Sequence, residues 1–128
     1  MSEPKTILIV DDEFKVRVML RRHLEAEGYQ VVEAENGKVA QKCLREISID
    51  AVFTDYWMPE MDGLELIQWV RQQPEFTSLP IIASCGTPSD SEGYRAVRQP
   101  FFDAGCDRFL VRPFSPQELI RWLKELLP

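Results

Sequence analysis

The sequence predicts an α/β fold, a doubly wound parallel sheet of five strands that alternate with five helices. Two observations predict it. Short apolar runs rich in β-forming residues recur along the chain, and stretches with apolar residues at helical spacing separate them. Strands that alternate with helices in this way build a parallel sheet from right-handed βαβ units. The length of 128 residues suits one domain, covering residues 1–128.

The expected strands are apolar nearly throughout, as strands covered on both faces of a sheet are. They lie at residues 5–10, 30–34, 50–54, 79–84 and 107–111. The expected helices lie at residues 13–27, after the turn at 36–37, at about 62–72, within 91–104 and from 116 onward. This alternation predicts that every strand is joined to the next by a crossover helix.

Local signals mark several element ends. Gly28 is expected to close the first helix, and Asp62 and Ser115 to cap the third and fifth helices, each with a glutamate three residues later. Phe14 is expected on the apolar face of the first helix. Residues 85–90 are expected to form a loop because they are rich in turn-forming residues. Pro100 is expected to kink or restart the fourth helix, since proline lacks a backbone N–H.

Composition and charge argue against several classes of function. Asp and Glu number 21 against 15 Lys and Arg, a net charge of −6, whereas direct nucleic-acid binding needs a basic surface. No apolar run is long enough to span a membrane, and the N-terminus lacks a signal-peptide pattern. Three cysteines without CxxC spacing and a single histidine argue against a zinc site. Free thiols are typical of the cytoplasm, where we expect the protein.

Acidic residues stand where two of the expected strands end. The first strand runs directly into Asp11 and Asp12, and the third ends on Asp55. Burial penalises a carboxylate, so acids in these places indicate a task other than stability. In doubly wound sheets ligands bind beyond the carboxyl ends of the strands. If the first and third strands are neighbours, the three carboxylates converge in one pocket.

Converging carboxylates repel one another, so such a pocket must raise a pKa or hold a cation. Ligands that are all oxygen favour a hard ion, and an open site suits Mg²⁺, which keeps several waters. A metal held in this way can neutralise a phosphoryl group, and one acid could be its nucleophile. The alternative is that the acids only cap turns and helices, with Asp12 capping the first helix and Asp55 the loop after its strand.

The motifs that contain these acids resemble those of response-regulator receiver domains. They are Ile7-Leu-Ile-Val-Asp11-Asp12, Asp50-x-x-x-x-Asp55-x-x-Met-Pro-x-Met-Asp-Gly63, Leu79-Pro-Ile-Ile and Phe109-Leu-Val-Arg-Pro-Phe114. The resemblance spans nearly the whole chain. It implies the flavodoxin-like fold with strand order 2-1-3-4-5, and Asp55 as the acceptor of a phosphoryl group. It also implies Mg²⁺ on Asp12, Asp55 and the backbone carbonyl of Trp57, with Asp11 acting largely through water.

The same resemblance implies how such a domain works. A sensor histidine kinase or a phosphotransfer protein would donate the phosphoryl group. An output domain or partner protein would then read a surface made by the fourth helix, fifth strand and fifth helix, with Phe109 at the aromatic switch position. The protein would catalyse only its own phosphotransfer and autodephosphorylation, and it would contact neither nucleic acid nor membrane directly.

Two signature positions differ from the family pattern. Cys85 stands where receivers carry Thr or Ser, and a thiol is the weaker hydrogen-bond donor. Ser84 or Thr87 could substitute if the strand end is shifted. Arg112 stands where receivers carry Lys; its planar fork is still cationic but is not interchangeable with an ammonium. The resemblance also implies a cis Arg112-Pro113 bond, which would aim the Arg112 side chain inward.

Two other functions stay open at this point. The altered positions Cys85 and Arg112 suggest a receiver-fold interaction module that works without phosphorylation. A Mg²⁺-dependent phosphatase using Asp55 is disfavoured, because Trp57 stands where such enzymes place a second acid. No output domain is visible in the given sequence, so we expect either a separate partner or a longer protein of which this chain is a piece.

Overall fold

The computed structural model describes residues 3–86 and 91–128, with the backbone alone at 91–95 and 97. Five parallel strands form one sheet in the order β2-β1-β3-β4-β5. The strands are β1 (Thr6–Val10), β2 (Gln30–Ala34), β3 (Ala51–Asp55), β4 (Ile81–Gly86) and β5 (Arg108–Arg112). The α-helices of the described chain are α1 (Phe14–Ala26), α2 (Gly37–Glu46), α3 (Gly63–Gln72), α4 (Ser91–Ala104) and α5 (Pro116–Leu126). A 3₁₀ turn follows α3 at Pro74–Phe76. The predicted fold class and strand order are confirmed.

Each face of the sheet is covered by helices and carries its own apolar core. The front core joins the sheet to α2, α3 and α4 through Leu8, Leu44, Val52, Leu66 and Phe101. The rear core joins it to α1 and α5 through Ile9, Leu20, Phe53, Ile82 and Leu119. Successive residues of a strand face opposite sides, so a strand with two covered faces is apolar throughout. Each large apolar side chain buried here contributes roughly 1.5–3 kcal/mol.

The acid-bearing strands are neighbours at the centre of the sheet. Ile7 of β1 lies level with Ala51 of β3, and Val10 lies level with Thr54. Strand order reverses between them, because β2 lies on one side of β1 and β3 on the other. Their carboxyl ends therefore open into the crevice where doubly wound folds bind ligands.

The predicted helix ends are present. Asp62 accepts a hydrogen bond from the backbone N–H of Glu65, and Ser115 from that of Glu118; both sites form complete capping boxes. Such a cap is worth about 1 kcal/mol. Gly28 follows the end of α1 with a φ of 93°, a left-handed conformation that favours glycine.

Three predictions about local structure were wrong. Cys85 and Gly86 belong to β4 instead of a loop, because they lie level with Val111 and Arg112 in the parallel ladder with β5. Residues 87–90, the rest of that predicted loop, lie outside the described residues. The fourth helix does not restart at Pro100, because Ser91–Ala104 is one continuous helix with Pro100 in its interior. Phe14 is exposed, because it stands in the first turn of α1, above the buried Leu20 and Leu24.

Among the described residues, no helix has both the length and the apolar character needed to cross a membrane.

Candidate acidic site

Three carboxylates converge at the crevice. Asp11 and Asp12 follow β1, and Asp55 is the last residue of β3. One carboxylate oxygen from each lies within 4.8 Å of the other two. Asp11 is fully buried and Asp55 is 4% exposed, whereas Asp12 is open to solvent. The site thus has two deep acids and one acid at its mouth, a donor set that fits a hard cation entering from solvent.

Burial dominates the electrostatics of the two deep acids. It raises the pKa of Asp55 to about 7; Arg112 opposes the rise and Asp11 adds to it. Burial also raises the pKa of Asp11, although the backbone N–H of Glu13 donates to Asp11 Oδ1 at 2.9 Å and Arg112 lies beside it. Burial disfavours the anionic form of both acids, so additional positive charge would stabilise the site.

Arg112 supplies positive charge from the end of β5. Its guanidinium forms an ion pair with Asp11, and its Nη1 and Nε lie 3.4 Å from Glu13 Oε1 and 3.5 Å from Asp55 Oδ1. These contacts place the side chain inside the acidic site, as the resemblance implied. The following Arg112-Pro113 peptide bond is cis.

A second arginine, which sequence reasoning missed, supports the acids from α1. Arg17 Nη1 donates to the backbone carbonyl of Asp11 at 2.7 Å, and Arg17 Nε donates to Glu33 Oε1 at 3.0 Å. The signal in the sequence was a basic residue one turn into the helix that follows the acids. Arg17 fixes the backbone from which Asp11 and Asp12 project.

A glycine lets α3 approach Asp55 closely. The backbone N–H of Gly63 donates to the carbonyl of Tyr56 at 3.0 Å. A Cβ atom at Gly63 would lie 2.2 Å from the backbone carbonyl oxygen of Asp55, far inside contact distance. The Asp-Gly pair at positions 62 and 63 thus serves two purposes: a helix cap and a close approach of two backbones.

The idea that these acids serve only as caps does not hold for Asp12. The N-cap of α1 is Glu13, whose side chain makes no capping hydrogen bond. Asp11, instead, accepts from the backbone N–H of Glu13. Asp12 is left exposed at the mouth of the site, where it can bind a ligand.

The two candidate donors on β4 face opposite sides of the sheet. Cys85 is buried in the front core, where burial, and then Asp55, raises the pKa of its thiol. Ser84 is fully buried and lies level with Asp55 in the ladder with β3. β4 ends two residues later than predicted, at Gly86, and Cys85 is its last residue but one. Thr87, the third candidate, lies outside the described residues.

Aromatic rings lead from the site to β5. Trp57 is 68% exposed, and its ring meets that of Tyr56 edge-on at 4.6 Å. Tyr56 meets the buried Phe101 of α4 at 5.3 Å, and Phe101 meets the half-buried Phe109 of β5 at 5.2 Å. The loop after Asp55 is therefore connected by ring contacts to the predicted switch position.

Comparison with known proteins identifies the family from which this arrangement comes. The family model described as the response regulator receiver domain matches residues 7–124. The chain belongs to the response-regulator receiver family. The matched residues include the acid-bearing ends of β1 and β3 and all of the sheet and helices except Thr6 of β1 and the last two residues of α5.

Two curated relatives are transcriptional regulatory proteins. ResD of Bacillus subtilis (strain 168) is 39% identical over 121 residues, and SrrA of Staphylococcus aureus (strain NCTC 8325 / PS 47) is 33% identical over 121 residues. Both alignments cover 94% of this receiver chain and 47% of the relative. The chain thus spans about half the length of the curated relatives it matches.

Solved receiver structures superpose closely on the chain. Chemotaxis protein CheY4 of Vibrio cholerae is 30% identical with a TM-score of 0.85, covering 97% of this chain and 99% of that chain. Response regulator protein TrrA of Thermotoga maritima, solved in complex with Mg(2+)-BeF, is 34% identical with a TM-score of 0.80, covering 96% and 99%.

Proposed function

We propose that this receiver domain accepts a phosphoryl group on Asp55 from a histidine kinase or phosphotransfer protein and then alters a partner-binding surface. The observation that carries the proposal is the convergence of Asp11, Asp12 and Asp55 within 4.8 Å, beside the guanidinium of Arg112. The transfer of a phosphoryl group needs a nucleophile, neutralisation of the phosphoryl charge and in-line access of the nucleophile to phosphorus. The two buried acids, the open mouth at Asp12 and the cation on β5 meet these needs.

In the proposed reaction, a carboxylate oxygen of Asp55 attacks the phosphorus of a phosphohistidine. The P–O bond to Asp55 forms as the P–N bond to the imidazole breaks, and the imidazole nitrogen takes a proton. Asp12, Asp55 and the Trp57 backbone carbonyl would hold Mg²⁺, with Asp11 acting through water. When bound, Mg²⁺ supplies charge neutralisation of the phosphoryl oxygens.

Arg112 would change partners during this reaction. It pairs with Asp11 in the structure, and its guanidinium can bind phosphoryl oxygens bidentately. Cys85 stands at the Thr/Ser signature position with a thiol whose pKa is raised and which is a weak donor. We therefore expect Arg112 to carry more of the phosphoryl binding than Cys85.

The proposed output surface consists of α4, β5 and α5, with Phe109 as its switch residue. A sensor kinase or phosphotransfer protein would load Asp55, and an output domain or separate protein would read this surface. The proposal includes a single receiver domain over residues 1–128, a cytoplasmic location, and no direct contact with nucleic acid or membrane. The net charge of −6 supports the absence of direct nucleic-acid contact.

Intact-mass analysis after incubation with Mg²⁺ and acetyl phosphate tests the phosphoacceptor. The native protein should gain one phosphoryl group and Asp55→Asn none. Asp103→Asn, which removes an exposed carboxylate of α4, is the matched control and should behave like the native protein. An equal gain in Asp55→Asn would refute Asp55 as the acceptor.

The buried thiol of Cys85 and the engaged Arg112 favour one other function, an interaction module that works without phosphorylation. No phosphoryl gain in the native protein, with Mg²⁺ binding confirmed separately, would support it. Phosphorylation should then appear in the double variant Cys85→Thr, Arg112→Lys. Partner binding that is unaltered in Asp55→Asn would also support the interaction module.

A further inference from the structure

The hydroxyl of Ser84 is buried without a hydrogen-bond partner. Ser84 has no exposed surface, and its Oγ bonds to nothing among the residues that the structure describes. An unpaired buried polar group destabilises the folded state, and nearly all such groups in native proteins have a partner, so this one calls for an explanation. The explanation must come from what surrounds this point of β4.

Ser84 shares a face of the sheet with Asp55. The two are level in the ladder between β3 and β4, where strands lie about 4.8 Å apart. Phe53 and Ile82, each two residues earlier, both belong to the rear core. Because side chains two residues apart face the same side, Asp55 and Ser84 both project toward that side.

Arg112 reaches the same place from the other neighbouring strand. Leu110 lies level with Ser84 and belongs to the rear core, and Arg112 is two residues farther along β5. Its Nε lies 3.5 Å from Asp55 Oδ1. Ser84 thus lies between the strand of the acceptor acid and the strand of the cation, whereas Cys85 faces the front core.

We propose that Ser84 is a positioning residue whose hydroxyl donates a hydrogen bond to the Asp55 side chain when Arg112 moves onto a phosphoryl group. The donated bond holds the acyl oxygen of Asp55 as its other oxygen bonds to phosphorus. This role rests on the proposed function of Asp55. The thiol of Cys85 lies on the opposite face of the sheet, whereas the Ser84 hydroxyl lies one residue earlier, on the same face as Asp55.

The test uses an isosteric pair and a minimal deletion. Ser84→Thr and Ser84→Val have side chains of the same shape and differ in the hydroxyl, and Ser84→Ala removes one oxygen. Beryllium fluoride with Mg²⁺ is the probe, and its affinity is measured by ¹⁹F NMR; urea unfolding reports stability separately.

Ser84→Ala and Ser84→Val should bind the probe about tenfold more weakly than the native protein, and Ser84→Thr should restore binding. An affinity of Ser84→Ala for the probe equal to that of the native protein would overturn the inference. If that variant were also more stable, the hydroxyl would be a buried group without a hydrogen bond and without a role in binding. Equal weakness in Ser84→Thr and Ser84→Val would overturn it as well, by attributing the loss to packing.

The native protein and Asp55→Asn are measured in the same series. Equal binding by these two would refute the acceptor role of Asp55, and the role of Ser84 with it. Native binding that depends on Asp55 but not on Ser84 would refute this inference alone.

Discussion

The guanidinium of Arg112 forms an ion pair with Asp11, a carboxylate that has no exposed surface. The same guanidinium reaches Glu13 and Asp55, so one side chain from β5 touches acids of two other segments. A tethered cation thus lies where the proposed Mg²⁺ site needs free carboxylates. Metal and arginine must compete for the same negative charge.

Arg112→Gln is therefore expected to raise the affinity for Mg²⁺. A unit charge within about 4 Å is worth a few kcal/mol near a protein surface, so the gain should be roughly tenfold or more. Isothermal titration calorimetry measures it. Arg108→Gln is the matched control, because Arg108 lies on the same strand but pairs with the exposed Glu125. Unchanged or weaker Mg²⁺ binding by Arg112→Gln would show that the two cations do not compete.

Asp55 should make stability depend on pH. Burial raises its pKa to about 7, so between pH ~4 and ~7 the native state holds a proton that the unfolded chain has released. The free energy of unfolding therefore falls as pH rises through this window. Asp55→Asn mimics the neutral acid and should be more stable than the native protein by roughly 2–4 kcal/mol at pH 8, with little difference at pH 4.

Urea unfolding at pH 4, 6 and 8 in a chelator checks this expectation, with Asp103→Asn as the exposed-acid control. A stability difference between Asp55→Asn and the native protein that stays constant over the whole range would mean that Asp55 has an ordinary pKa in the folded protein.

The sequence could predict the sheet and the acids, because each depends on a local signal. Apolar runs followed by Asp11 and Asp55 mark strand ends, and parallel strands bring their carboxyl ends to one edge. The face on which Ser84 and Cys85 lie could not be predicted. A strand apolar throughout carries no alternation that would distinguish its two sides. The ends of β4 were misjudged for a related reason, since pairing with β5 overrides the turn preference of Gly86.

Contacts between residues far apart in the chain could not be predicted from the sequence either. The pair Arg112–Asp11 joins residues 101 positions apart, and the bond from Arg17 to the Asp11 carbonyl joins α1 to the residue that follows β1. The motif around Arg112 implied an inward-pointing side chain but not Asp11 as its partner, and Arg17 lies in no motif. Such contacts arise from tertiary packing, which local propensity does not describe.

Gly63→Ala should destabilise the protein strongly. The new methyl group would lie 2.2 Å from the backbone oxygen of Asp55, so β3 or α3 must move. Overpacking against side chains costs about 1–3 kcal/mol, and backbone yields less readily, so we expect at least 3 kcal/mol or so in urea unfolding. Gly86→Ala is the control, because no described atom lies within 4 Å of its added methyl. Equal stability of the two variants would contradict the close approach.

Phe101 should transmit changes at Asp55 to Phe109. Its ring is 2% exposed and contacts Tyr56, next to Asp55, and Phe109, on β5. Phe101→Leu keeps an apolar side chain of similar volume but loses both ring contacts, at a cost of roughly 1–2 kcal/mol in stability. Binding of beryllium fluoride with Mg²⁺ should then shift the Phe109 ring resonances less than in the native protein.

Phe76→Leu is the matched control for Phe101→Leu, because it removes a ring that contacts Trp69, at 6.5 Å, and leaves the rings between Asp55 and β5 intact. Its Phe109 response should equal that of the native protein. NMR of the Phe109 ring with and without the probe decides the matter. A full response in Phe101→Leu would mean that the signal reaches β5 without these rings, through Arg112 on the same strand or through the β4–β5 ladder.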